Sequence, residues 1–274
     1  MDDYPVKVGS MLFTMVDPHR GHEVAYNRWY ERDHFYAGCM IGPWLFAGGR
    51  WVSTRALKDL RFPADSPFAR PVDAGSFLSI YWVHEDHEDD HFGWASTQVR
   101  WLYDNGRGFN HRNHAHTALY SLVARHHRDA DGVPLELALD HGYDGLGVVV
   151  VEPTEGVAQD ELLSSLSADA VPSLFDGGVG GSSGIALGST WRVMSRGGQP
   201  ADDAPPPPMS LGTDGGHPDR LVQLLFLEGD PTSSWERIRA YAEKVDAGDA
   251  GKVTFAGPFL ASVVGTDTYT DQLW

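Results

Sequence analysis

The feature that most constrains this chain is that one order of elements occurs in it twice. Residues 8–127 read strand, helix, strand, strand, helix, strand, and residues 143–266 read that order again. A duplication of this kind limits the architecture before any motif is weighed. It predicts a first repeat over 1–130 and a second over 131–274. The copies share a pattern and not a chemistry. The first is crowded with Trp, Tyr, His and charge, whereas the second is mostly aliphatic and small.

In the first copy, Met11–Val16 is apolar on both faces, as in a strand covered on each side. Asp17-Pro18 ends it. A helix is predicted from about Gly21 to Ala37, with Gly38 and Gly42-Pro43 as stop signals. Strands are predicted at Phe46–Arg55, Ser76–Val83 and His116–Ala124, with a second helix over Glu88–Asn105. The second copy opens on Gly145–Glu152, whose four consecutive valines are a strong buried-strand signal. Helix Gln159–Phe175 follows, and Pro172 is expected to kink or stop it. The pattern closes with strand Ile185–Met194, strand Arg220–Leu227, helix Thr232–Val245 and strand Lys252–Val264. The Pro-rich stretch 197–216 reads as a partly extended surface loop.

Strand–helix–strand–strand–helix–strand is the order of the ferredoxin-like fold, which covers one face of a four-stranded sheet with helices and leaves the other bare. Two such units in one chain can press their bare faces together. The predicted class is α+β: two tandem ferredoxin-like βαββαβ repeats forming an intrachain dimeric α/β-barrel. In this the chain resembles the dimeric α/β-barrel superfamily in a fused, two-repeat form.

The run Tyr26-Asn27-Arg28-Trp29-Tyr30-Glu31-Arg32-Asp33-His34 carries a further resemblance. Members of the EthD-like group often bear a Trp-Tyr pair followed four residues later by a His, and Trp29, Tyr30 and His34 match it. The resemblance implies a cavity-facing polar group acting on a small molecule. The residues make that chemistry plausible by themselves. Tyr30 and His34 lie one helical turn apart, so their polar ends can approach one solute. An imidazole exchanges protons near neutral pH, and a Tyr hydroxyl can donate to a developing oxyanion. Asp33 could orient the imidazole or pair with an Arg. The plainer alternative is an amphipathic helix with core aromatics and a merely hydrogen-bonded His.

Other candidates lie nearby. Tyr26 and Trp29 share the helix face, and Trp82 could line a cavity for a flat ligand. His114 and His116, two residues apart, are expected on one sheet face, opposite His34. Arg107 and Arg112 could hold a carboxylate or enolate. His84, His87 and His91 tempt a metal reading, but they sit at a strand-to-helix junction where polar residues are ordinary, and no metal site is assigned. Cys39 reads as a small buried residue.

The formal net charge of −17 argues against nucleic acid or an anionic membrane as partner. One cysteine excludes an intramolecular disulfide. The acidic start and the lack of a membrane-length apolar run suggest a cytoplasmic protein, monomeric or homodimeric. The leading expectation is an enzyme without a cofactor that uses His34 and Tyr30 for acid–base work on a hydrophobic carbonyl compound, as a cyclase, isomerase, dehydratase or other lyase. Haem, through His34, His114 or His116, or a divalent metal is the alternative. A non-catalytic small-molecule binder is a third reading.

Overall fold

The computed structural model describes residues 5–176, 183–194 and 217–274. The predicted loop at 197–216 lies outside the described residues. Eight strands close into one barrel in the order β1-β3-β2-β8-β5-β7-β6-β4. They are β1 Val8–Pro18, β2 Leu45–Val52, β3 Phe77–His84, β4 Arg112–His127, β5 Gly145–Pro153, β6 Ile185–Val193, β7 Leu221–Leu227 and β8 Gly251–Ala261. Every neighbouring pair is antiparallel. Each half keeps the 4-1-3-2 strand order of a ferredoxin-like unit, so the predicted fold class is the one observed.

Two seams join the halves. Strand β4 runs along β6 from Tyr120↔Val193 to His127↔Leu187. The β2–β8 seam is short, pairing only Trp51 with Ala261 and Val52 with Leu260. It is reinforced by the Phe62↔Ala256 bridge and by Ser53 Oγ donating to the Pro258 carbonyl at 2.9 Å.

Strand alternation sends one set of side chains inward and the other outward under the helices. Inward residues from both halves form one core, including Met11, Phe13, Trp82, Val148, Val150, Trp191, Leu224 and Phe226. Trp82 and Trp191 stack across the halves with ring centroids 4.9 Å apart. Phe68 and Leu135, from connecting segments, join this core. The barrel interior is therefore packed, and Trp82, expected to line a cavity, is part of that core.

Outside the barrel, β1, β2 and β3 carry α1 (Glu23–Trp29), which runs straight into a π-helix, Tyr30–Met40. Helix α2 (Arg55–Lys58) is a single turn, and α3 (Glu88–Asp104) packs beside the π-helix. Gly48 permits this seating, because a Cβ there would stand 2.7 Å from Phe35 and 2.9 Å from the Met40 sulfur. The second half carries α4 (Gln159–Ser165), a short π segment (Leu166–Ala170), α5 (Pro172–Phe175) and α6 (Trp235–Ala247). Pro172 occupies the first turn of α5, where its missing N–H costs nothing.

Because the halves share one core, Trp82→Ala should cost about 3–5 kcal/mol, the usual price of an emptied aromatic site. Denaturation followed by near-UV dichroism should show both halves melting in one shifted transition. Two separated transitions would mean that the halves hold together without the shared interior.

Candidate functional site

The two helix–sheet layers differ sharply. In the second repeat the layer is mostly aliphatic, with Val149, Val151, Leu162, Leu221, Leu227 and Ile238 all fully buried around one polar chain that runs from the half-buried His126 through Thr190 and Gln223 to Tyr241. In the first repeat the layer is aromatic and polar, and Leu12, His34, His114 and Thr117 stay half-buried.

The π-helix sets the chemistry here. Bonds that reach five residues back place positions i and i+5 on one face, so Cys39 Sγ stands 3.9 Å from His34 Nε2. In an α-helix those side chains would diverge by about 140°, and the predicted helix ends before Cys39. The His34 ring stacks on Trp29 at 5.3 Å and meets the Tyr30 ring edge-on at 4.8 Å. Tyr30 itself is buried, its hydroxyl paired with that of Tyr81 at 2.9 Å. Burial pushes the Tyr30 phenol up.

Asp33 does not orient His34. Its buried carboxylate accepts from Arg32 at 2.6 Å and from Arg107 at 2.6 Å. Burial alone would raise its pKa, but bonds from the two arginines outweigh that and hold it below the usual range. Arg107 also fixes Trp29, whose indole N–H donates to the Arg107 carbonyl at 2.8 Å. Tyr26 is buried in the same layer, 5.2 Å from the Phe77 ring.

Arg112 and His114 complete the group. The Arg112 guanidinium lies 4.5 Å over the Trp29 ring and donates to the Tyr103 hydroxyl at 2.9 Å and to the Phe109 carbonyl. It also approaches His114 Nε2 at 3.4 Å, while His114 Nδ1 meets Thr117 Oγ1 at 2.9 Å.

His116 goes elsewhere. The pairing of β1 with β4 shifts between Met15↔His116 and Val16↔His114, a bulge that makes Ala115 the extra residue. The two imidazoles therefore take opposite faces, which corrects the expectation that they share one. His116 sits inside the barrel, fully buried, 3.8 Å from the Phe68 ring and 2.7 Å from the Tyr120 hydroxyl. Trp82 is likewise in the packed interior, its indole donating to the Leu135 carbonyl. Sequence reasoning thus brings together Tyr26, Trp29, Tyr30, His34, Arg112 and His114, and not Asp33, Trp82 or His116. It missed Cys39, Tyr81 and Arg50, the last lying 4.6 Å from the Tyr30 ring.

Burial, helped by the Arg112 charge, pushes His34 down to about 3 and His114 to about 4. Both rings are neutral near pH 7, so they can position and polarise a ligand but make weak bases. The groove of about 520 Å³ lined by Arg28, Arg32, Tyr36 and Val264 lies on the other side of the π-helix, and no imidazole lines it. Among the described residues no cluster of three or more His, Cys, Asp or Glu is placed to hold a metal ion.

Comparison with known proteins places this geometry in context. No protein-family model matches the chain, and no curated protein matches it. Solved structures do match. A DypB variant from Rhodococcus jostii RHA1 in complex with heme aligns with a TM-score of 0.53 at 11% identity, over 97% of this chain and 96% of that one. The chain has the ferredoxin-like dimeric α/β-barrel fold. A protein described provisionally as a chlorite dismutase aligns with a TM-score of 0.52 at 10% identity, over 98% of this chain and 100% of that one. An anthrone oxidase-like protein aligns at 0.50 and 13% identity, over 95% of each chain.

The DypB complex corrects one expectation. A barrel of this fold holds haem there, so the sequence-based expectation of no cofactor does not stand. The packing around the three imidazoles expected as haem ligands, His34, His114 and His116, does not fit a haem, however. His34 Nε2 faces Cys39, both His114 nitrogens are engaged, and His116 is enclosed by Phe13, Phe68 and Tyr120.

The buried imidazoles carry a pH signature. Relative to the ordinary value of 6.5, His34 and His114 are lowered, and His116 lies well below it. The unfolded chain then binds more protons, so stability is full above about pH 6.5 and falls as pH drops through the window down to the folded values. Each group adds a slope approaching about 1.4 kcal/mol per pH unit. Urea midpoints between pH 7 and 4 should fall less steeply for His116→Gln than for the parent chain. An unchanged slope would show that this ring is protonated in the folded state.

Proposed function

We propose that this chain is an oxidoreductase that acts on a small aromatic molecule in the helix–sheet layer of the first repeat. The observation that carries the reading is the contrast between the two layers. The second is mostly aliphatic around a single His126–Thr190–Gln223–Tyr241 chain, and the first sets two half-buried neutral imidazoles beside Trp29 and the Arg112 guanidinium. An aromatic face stacked under a guanidinium suits a flat ligand.

The choice of oxidative chemistry over a lyase or isomerase has two supports. A cyclase or isomerase of the expected kind would use His34 as a proton carrier near neutrality, and a ring lowered to about 3 is poorly matched to that work. Proteins of the same fold are described as anthrone oxidase-like and as dye-decolorizing, the latter from V. cholerae with a TM-score of 0.50 at 11% identity. DypB holds haem in this fold, but the candidate imidazoles here are already engaged, so dioxygen or peroxide is the oxidant named for the reaction. Haemin-treated protein should therefore show no Soret band that depends on His34, and a band lost in His34→Ala would overturn the misfit.

The test is oxidation of an anthrone-type polycyclic phenol in air or with peroxide, followed by absorbance, for protein as purified and after haemin treatment. Trp29→Ala should lower kcat/KM by about tenfold or more, a loss of about 1.4 kcal/mol in transition-state binding. Tyr241→Phe, which alters only the bond to Gln223 in the second repeat, should stay within about twofold. Equal losses in both variants would contradict a site confined to the first repeat.

A further inference from the structure

Arg50 is the outlying charge of the molecule. It projects from β2 under the π-helix with its side chain 3% exposed. One terminal nitrogen donates to Glu31 Oε1 at 3.1 Å. Nε and the other terminal nitrogen are buried with no hydrogen-bond partner among the described residues. The guanidinium lies 4.6 Å from the Tyr30 ring and 5.5 Å from the Phe77 ring, which attract the cation but accept none of its in-plane N–H bonds. A buried charged donor left unmade is costly, and such groups in native proteins call for a partner. The neighbouring Ser262, whose N–H donates to the Arg50 carbonyl at 3.0 Å, also has a buried hydroxyl without a partner among the described residues.

The route to Arg50 is visible. Glu31, with its side chain 15% exposed, lines the surface groove together with Arg28, Arg32, Tyr36, Gly265 and Thr266. Its second carboxylate oxygen accepts from the Gly265 N–H at 3.0 Å, so Glu31 ties the π-helix to the 264–267 segment directly over Arg50. Arg28 and Arg32 flank this entrance with strongly exposed side chains, although each already meets a carboxylate.

We infer that Arg50 is the binding group for an anionic oxygen, a carboxylate or phenolate, of a small aromatic ligand that enters beside Glu31. The two unpartnered nitrogens, Nε and one terminal nitrogen, form one edge of a planar fork, the geometry that takes a carboxylate in two parallel bonds. This deepens the proposed function by naming the charge of the molecule taken at the same layer, and it rests on that reading only for the identity of the ligand as substrate.

The test is calorimetric titration of the full chain with sodium benzoate, against sodium chloride at matched ionic strength. The parent protein should bind benzoate saturably and chloride weakly. Arg50→Gln should weaken benzoate binding by about tenfold or more, the worth of a charge-assisted pair. Glu31→Gln leaves Arg50 in place, removes the competing carboxylate charge and should tighten binding several-fold, which keeps the test decisive if Arg50→Gln fails to fold. Absence of saturable binding in the parent, or unchanged affinity in both variants, would overturn the assignment. Benzoate binding that depends on Arg50 without any oxidative turnover would leave this inference standing and remove the proposed reaction. Turnover with no dependence on Arg50 would do the reverse.

Discussion

The structure depends on one constraint: a four-stranded sheet with helices on a single face cannot leave its other face in water. Both repeats meet that constraint by turning their bare faces toward each other, and the β4–β6 and β2–β8 seams remove the sheet edges at the same time. The shared interior is then filled to the point where Trp82 stacks on Trp191 and connecting segments contribute Phe68 and Leu135. Apolar burial of this extent is the main stabilising term.

The two outer layers differ in chemistry, and the proposed reaction is assigned to the first. Aliphatic closure of the second repeat supplies stability. The first repeat accepts a less efficient packing, with imidazoles, hydroxyls and guanidinium groups under its helices. The π-helix is the device that arranges them. Its wider turn lines up Tyr30, His34 and Cys39 over the Tyr81 hydroxyl. Segments of this kind cost backbone stability and occur often at functional positions.

Much of the fold was legible in the sequence because hydrophobic period and element order are local signals. The four valines of β5 and the apolar run of β1 announce strands buried on both faces, and the duplication implies the closed barrel. The site was legible in part. Tyr30 and His34, four residues apart, share a face in an α-helix, whereas the stacking of His34 on Trp29, five residues away, comes with the wider turn. Three other features have no local signature. Nothing in Tyr30–Met40 marks a π-helix, so the Cys39 contact was invisible. The bulge at Ala115 reverses the face of His114 relative to His116 through pairing with β1, a tertiary event. The third is the set of arginines around Asp33, which include Arg107 from a distant turn and so redirect that carboxylate away from His34.

The most direct test of where ligand chemistry resides is a two-dimensional NMR titration of the indole N–H signals of the nine tryptophans with an aromatic ligand. The Trp29 signal should shift in a saturable way, while those of Trp82, Trp191 and Trp235, buried in the barrel and the second layer, stay fixed. A titration that moves the barrel tryptophans and leaves Trp29 still would place the ligand between the sheets and contradict this account.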